Sequence, residues 1–138
     1  MGQITKTAVV PAPPATVYRY VADLHNAPEF ITAISRITSG PTESPAVGQR
    51  FGAAATFMGR PETLTLCLLA LDPDRRVEIA LEGDPAATLT ISLAALQDRP
   101  ATRVTVRLEA PSVAGFLLGM TMGPMLDASL ARLARKIF

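Results

Sequence analysis

Tryptophan is absent from this 138-residue chain, and cysteine and histidine occur once each. A lone Cys67 excludes an internal disulfide and a cysteine-rich metal site. It fits a reducing compartment. A lone His25 excludes a pair of histidine ligands, so no metal is expected, and any catalytic triad would rest on that one ring. Aromatic residues make up only 5% of the chain, and no basic stripe interleaves with them. Thirteen Lys and Arg balance twelve Asp and Glu, so the net charge is +1. That balance argues against a phosphate-backbone binder, and no nucleic-acid partner is expected. No glycine-rich phosphate loop follows a strand and opens a helix, and no cofactor is called for.

Long apolar runs are missing too. The longest uncharged stretch, Ala110 to Leu126, has seventeen residues and contains Pro111, Pro124 and three glycines. It is shorter than the ~20 apolar residues a spanning helix needs. Met1 to Val10 has no basic region followed by an apolar stretch. The expectation is a cytoplasmic chain without a leader or stable membrane insertion. At 49% hydrophobic and 18% charged residues, the chain is expected to fold as one domain over 1–138.

The order of local patterns is informative. Gln3 to Val10 is rich in β-branched residues and reads as a strand. Pro11, Pro13 and Pro14 end it, and Pro14 suits the first turn of a helix. Val17, Tyr20, Val21 and Leu24 recur at helical spacing, predicting a helix that ends near Leu24. Asn26 is expected to cap a second short helix containing Pro28 to Ile31. Ala33 to Ser39 reads as a strand. The next strands are expected over Gln49–Met58, Thr63–Leu71, Arg76–Glu82, Thr88–Leu96 and Thr102–Ala110, separated by turn clusters. Ser112 to Phe138 reads as a long helix, strained or kinked near Gly123-Pro124. The order is β-α-α-β6-α. Short turns between strands make an antiparallel meander with one covered face and one wet face.

Alternation places Phe51, Ala53, Ala55, Phe57, Leu64, Leu66, Leu68, Val77, Ile79, Leu81, Leu89, Ile91, Leu93, Val104, Val106 and Leu108 on the covered face. The register of the Gln49 and Thr63 strands stays open, because both faces there are apolar or small. Alanines at 53 to 55 leave room that a leucine would fill. On the last helix Gly115, Gly119 and Gly123 share a stripe that Leu126, Leu130, Leu133 and Ile137 continue. Each glycine costs a helix interior ~1 kcal/mol relative to Ala. Two readings offset that cost: volume for a ligand, or close approach of the helix backbone to the sheet. Val113, Leu117, Met120 and Pro124 fall on the opposite side. They suit a homodimer contact or a docking surface, unless the loop from Gly40 to Gly48 covers them.

Five motifs in this order resemble the SRPBCC superfamily, in particular its polyketide cyclase/dehydrase-like branch, related to START lipid-transfer domains and the birch-pollen-allergen fold. They are Ala12-Pro13-Pro14-Ala15-Thr16-Val17-Tyr18, Val21-Ala22-Asp23-Leu24-His25-Asn26-Ala27-Pro28-Glu29-Phe30, Val47-Gly48-Gln49-Arg50-Phe51, Leu71-Asp72-Pro73-Asp74-Arg75-Arg76-Val77 and Thr102-Arg103-Val104-Thr105-Val106. Ala27 and Phe30 stand where the family often has tryptophan. The resemblance implies an α+β helix-grip fold: a curved seven-stranded antiparallel sheet around a long C-terminal helix, with two short helices plugging one end. It also implies a cavity for a small hydrophobic molecule such as a lipid, polyketide or aromatic metabolite. The residues expected to line it are Phe51, Ala53, Ala55, Phe57, Leu64, Leu66, Val77, Ile79, Leu81, Leu89, Ile91, Val104, Val106, Gly115, Phe116 and Gly119. Two alternatives stand beside ligand binding. One is a cyclase or dehydratase in which His25 or Glu29, with Glu62 and Arg60 as further candidates at the mouth, moves a proton. The other is an interaction module with a filled core.

Overall fold

The computed structural model describes residues 2–57, 59–83, 86–112 and 115–136, without the side chains of Phe57, residues 115–121 and Lys136. Seven strands and three α-helices follow the expected order. They are β1 (Gly2–Val10), α1 (Pro14–Ala22), α2 (Ala27–Phe30), β2 (Ile34–Ser39), β3 (Arg50–Phe57), β4 (Arg60–Asp72), β5 (Arg76–Glu82), β6 (Ala87–Ala95), β7 (Thr102–Ala110) and α3 (Gly115–Lys136). A 3-10 turn, Leu24–Asn26, joins α1 to α2.

The strands form one antiparallel sheet in the order β1-β7-β6-β5-β4-β3-β2. β2 to β7 follow one another as a meander, and β1 closes on β7 in unbroken register from Gly2↔Ala110 to Val10↔Thr102. The curved sheet grips α3, which packs on β1, β7 and α2. Leu126, Leu130 and Leu133 are buried on its inner face. Lys6 on β1 pairs with Asp127 on α3 at 3.4 Å.

Alternation explains the burial. On β7, Val104, Val106, Leu108 and Ala110 point in, while Arg103 and Arg107 point to solvent. On β5, Val77 and Ile79 are fully buried. The open register of β3 resolves with Phe51, Ala53 and Ala55 inward. β4 starts at Arg60, three residues before the expected Thr63. Gly59, at φ +78°, precedes Arg60, and Arg60, Pro61 and Glu62 pair with Phe57, Thr56 and Ala55. Positive φ in a tight hairpin suits glycine, which has no Cβ to clash.

Two helix-end expectations need correction. α1 stops at Ala22, because Asp23 is extended (φ −88°, ψ 102°). Leu24 is still fully buried, but from the 3-10 turn, so the apolar spacing reports burial across the break. Asn26 does not cap α2 with its side chain. Its Nδ2 donates to the Tyr20 carbonyl at 3.1 Å, satisfying the end of α1 instead. Asp23 Oδ1 accepts from the His25 N–H at 3.1 Å and caps the turn.

Gly123 decides between the two glycine readings at its own position. A Cβ there would lie 3.3 Å from Ile4 Cδ1 on β1, so this glycine lets the helix approach the sheet. Whether Gly115 and Gly119 open volume lies outside the described side chains. So does the face carrying Leu117 and Met120, and Val113 lies outside the described residues. α3 continues through Pro124 as one helix.

Thr102 is fully buried, and its Oγ1 donates to the Ala12 carbonyl at 2.7 Å. The isosteric Thr102→Val leaves that carbonyl without its partner. Stability is expected to fall by about 1–3 kcal/mol, read as a lower urea midpoint with an unchanged slope.

Candidate functional site

The inner face of the sheet is not uniformly filled. At one end, α1 and the 3-10 turn insert Val17, Val21 and Leu24, all fully buried, into the core that contains Leu66, Leu68, Val77, Ile79 and Val104. At the other end three inward positions are alanine, Ala55 on β3, Ala87 on β6 and Ala110 on β7, among larger aliphatic residues. A cavity of about 140 Å³ lies there, between the sheet, the segment from Phe30 to Ile34, and α3 from Met122 to Leu133.

Six of the expected lining residues meet in its wall: Ala55, Leu64, Leu81, Leu89, Ile91 and Val106. Six others do not. Phe51, Ala53, Leu66, Val77, Ile79 and Val104 are buried in the filled end of the core, away from the cavity wall. Alternation assigns a residue to a face, not to a position along the barrel, so it does not separate the two groups. The side chains of Phe57 and Phe116, and the surroundings of Gly115 and Gly119, are not among those described. Sequence reasoning missed Phe30, the last residue of α2, and Ile31, Ala33 and Ile34 after it, which form one wall. Leu126, Leu130 and Leu133, read as the continuation of the glycine stripe on the last helix, also help roof the cavity. The available signal was the row of small residues at strand ends opposite that leucine stripe.

Polar side chains in the described wall are few: Thr56, Glu62 and Ser129. Thr56 and Glu62 are exposed, so the cavity meets solvent at the β3–β4 end. Ser129 is buried and occupied. Its Oγ donates to the Met125 carbonyl at 2.8 Å and accepts from the Thr32 N–H at 3.1 Å. This joins α3 to the Phe30–Ile34 wall. The described wall is otherwise apolar.

Of the proton-moving candidates, Glu62 reaches the wall; His25, Glu29 and Arg60 do not. His25 Nε2 lies 2.8 Å from the Pro41 carbonyl oxygen. A carbonyl only accepts, so Nε2 holds the proton and donates. The ring also makes a T-shaped contact with Phe51, centroid to centroid 5.3 Å. Phe51 in turn packs so closely on Gly40 that a Cβ there would sit 2.3 Å from Cδ2. His25 therefore anchors the start of the β2–β3 loop. No group of three or more His, Cys, Asp or Glu among the described residues is placed to hold a metal. No helix among them is long and apolar enough to cross a membrane.

Tyr20 sits behind the site, its ring 5.8 Å from Phe30 and its hydroxyl buried. Burial, and then the neighbouring Glu29 carboxylate, raise its pKa above 10.0, with the Arg132 cation opposing. Burial, then Asp74 and Asp72, raise Tyr18 as well. A raised acid holds its proton more tightly when folded. The contribution is complete below the unfolded value, about 10, and is lost as pH rises through the folded value. Urea midpoints are therefore expected to fall above about pH 10, and Tyr20→Phe is expected to flatten that limb. A variant with the wild-type alkaline slope contradicts this assignment.

The family described as polyketide cyclase / dehydrase and lipid transport matches residues 1–137. The chain belongs to this family. Solved structures agree on the fold. A START superfamily protein from Mycobacterium smegmatis superposes with a TM-score of 0.80 at 14% identity, covering 99% of this chain and 97% of that one. A protein from Thermus thermophilus gives 0.74 at 20% identity, covering 98% and 96%. The di-domain ARO/CYC BexL of the BE-7585A biosynthetic pathway gives 0.74 at 19% identity, covering 99% of this chain and 46% of that one. No curated protein matches the chain. As a polyketide cyclase / dehydrase and lipid transport family member, the chain keeps the helix-grip frame without any tryptophan. In its described wall the ring is Phe30, and the other side chains are aliphatic, methionine or the three polar groups.

Proposed function

We propose that this protein binds a small hydrophobic molecule in the cavity between the sheet and α3. The observation that carries the reading is the void itself: about 140 Å³ inside a close-packed fold, walled by apolar side chains and reaching solvent beside Glu62. Voids larger than a water molecule are few in a close-packed interior. An apolar wall binds by burial and shape, at ~0.8 kcal/mol per CH₂ removed from water. A body of six carbons thus gains roughly 5 kcal/mol, which corresponds to affinity in the sub-millimolar range. The free cysteine, Cys67, supports a cytoplasmic setting.

Native and denaturing mass spectrometry of freshly purified protein, with solvent extraction of what is released, tests the reading directly. A released apolar molecule, or uptake of toluene seen as ligand-to-wall NMR contacts, is the expected result. A clean apo mass with no uptake of toluene, decanol or palmitate overturns it and favours a filled-core interaction module.

A further inference from the structure

We infer that the cavity selects a one-ring or short-chain molecule whose polar end is neutral or cationic, and that it discriminates against carboxylates. This rests on the ligand-binding reading above and adds the class of ligand.

Size comes first. A cavity of ~150 Å³ lined by aliphatic and aromatic side chains accepts benzene, whereas drug-sized ligands need pockets of roughly 300–1,000 Å³. The void here is about 140 Å³. It accommodates a single ring or a chain of a few carbons, not a four-ring skeleton.

Polarity comes second. The buried wall offers a ligand few polar side chains among the described residues, and the buried Tyr20 hydroxyl is not part of it. Ser129 is the one polar side chain in the buried wall, and Thr32 and Met125 already engage its hydroxyl. The body of the ligand must be apolar, and its polar end must lie at the opening.

Charge at the opening comes third. Glu62 sits on β4 opposite Ala55 and lines the cavity. Among the described residues it makes no ion pair: Arg60, two residues earlier on the strand, is exposed and outside the wall. Glu29 on α2 is exposed and also outside the wall. No cationic side chain is part of the described wall. A carboxylate only accepts hydrogen bonds. It therefore favours an ammonium, hydroxyl or phenol end and repels a second carboxylate. Because Glu62 is exposed, each sign of the effect is worth no more than a few-fold in affinity.

Three probes with matched bodies separate these terms: ethylbenzene, 2-phenylethylamine and 3-phenylpropionate. Affinities are measured by NMR titration at neutral pH and low salt, on the wild type and Glu62→Gln. The amine is expected to bind about threefold to tenfold more tightly than the acid. Glu62→Gln is expected to bring the two within about twofold, and 0.5 M salt to shrink the wild-type gap. An acid that binds as well as the amine, or a gap that Glu62→Gln leaves intact, overturns the charge selection while ethylbenzene binding still supports the cavity. Cholesterol binding more tightly than ethylbenzene overturns the size limit. If ethylbenzene, cholesterol and palmitate all fail to bind, the ligand-binding reading itself fails.

Discussion

Ala55→Phe is expected to abolish uptake of toluene, with at least a tenfold loss of affinity, while the protein remains folded. Ala55 is 6% exposed and lines the cavity on β3. A phenyl ring at this position has the size of the benzene that a ~150 Å³ apolar void accepts, so the side chain becomes its own ligand. Filling a void adds apolar contacts, and forcing a ring into a space with the wrong shape costs about 1–3 kcal/mol. The net effect on stability is therefore small beside the effect on binding. A thermal melt beside the titration distinguishes the two. Unchanged toluene affinity in a folded Ala55→Phe protein would show that binding occurs elsewhere.

Leu68→Ala is expected to do the reverse. Leu68 is fully buried on β4, in the end of the core that α1 and the 3-10 turn fill, and it is not part of the cavity wall. Removing a buried leucine from a packed site costs about 2–5 kcal/mol, because the transfer energy is lost and the hole collapses only partly. Tm should fall by roughly 10 °C. Toluene affinity below the new Tm should stay within about twofold, since additivity holds for sites without shared partners. A stability loss under 1 kcal/mol would mean that this end is as loosely packed as the other.

The contrast between these substitutions marks the boundary of what pattern reading reaches. Arg76–Glu82 and Thr102–Ala110 are read from alternation alone and coincide with β5 and β7. In each, charged residues alternate with Val, Ile or Leu, so one register buries the whole apolar set. β4 is less legible at its start. Its first residues, Arg60-Pro61-Glu62, carry no strand signal, and only the tight link at Gly59 brings them into the sheet. Asn26 shows the same limit on a helix. Its residue type suits a cap, but which helix end it serves depends on the Tyr20 carbonyl being within reach.

The candidate site divides along the same line. Ala55, Leu64, Leu81, Leu89, Ile91 and Val106 follow from their inward face and do line the cavity. Phe51, Leu66 and Ile79 share that face equally well, yet they are buried away from the cavity wall. His25 stands in a motif that reads as a mouth, and it instead ties Pro41 and Phe51 together.

The order of elements, the buried face of each strand and the inner stripe of α3 were determined by local spacing, because a period of two or 3.6 residues is a property of neighbours along the chain. The position of the void was decided only in three dimensions. It lies where Ala55, Ala87 and Ala110, on three different strands, come together under α3, while α1 fills the opposite end. Close packing depends on the summed volumes of residues far apart in sequence, and no local period records that sum.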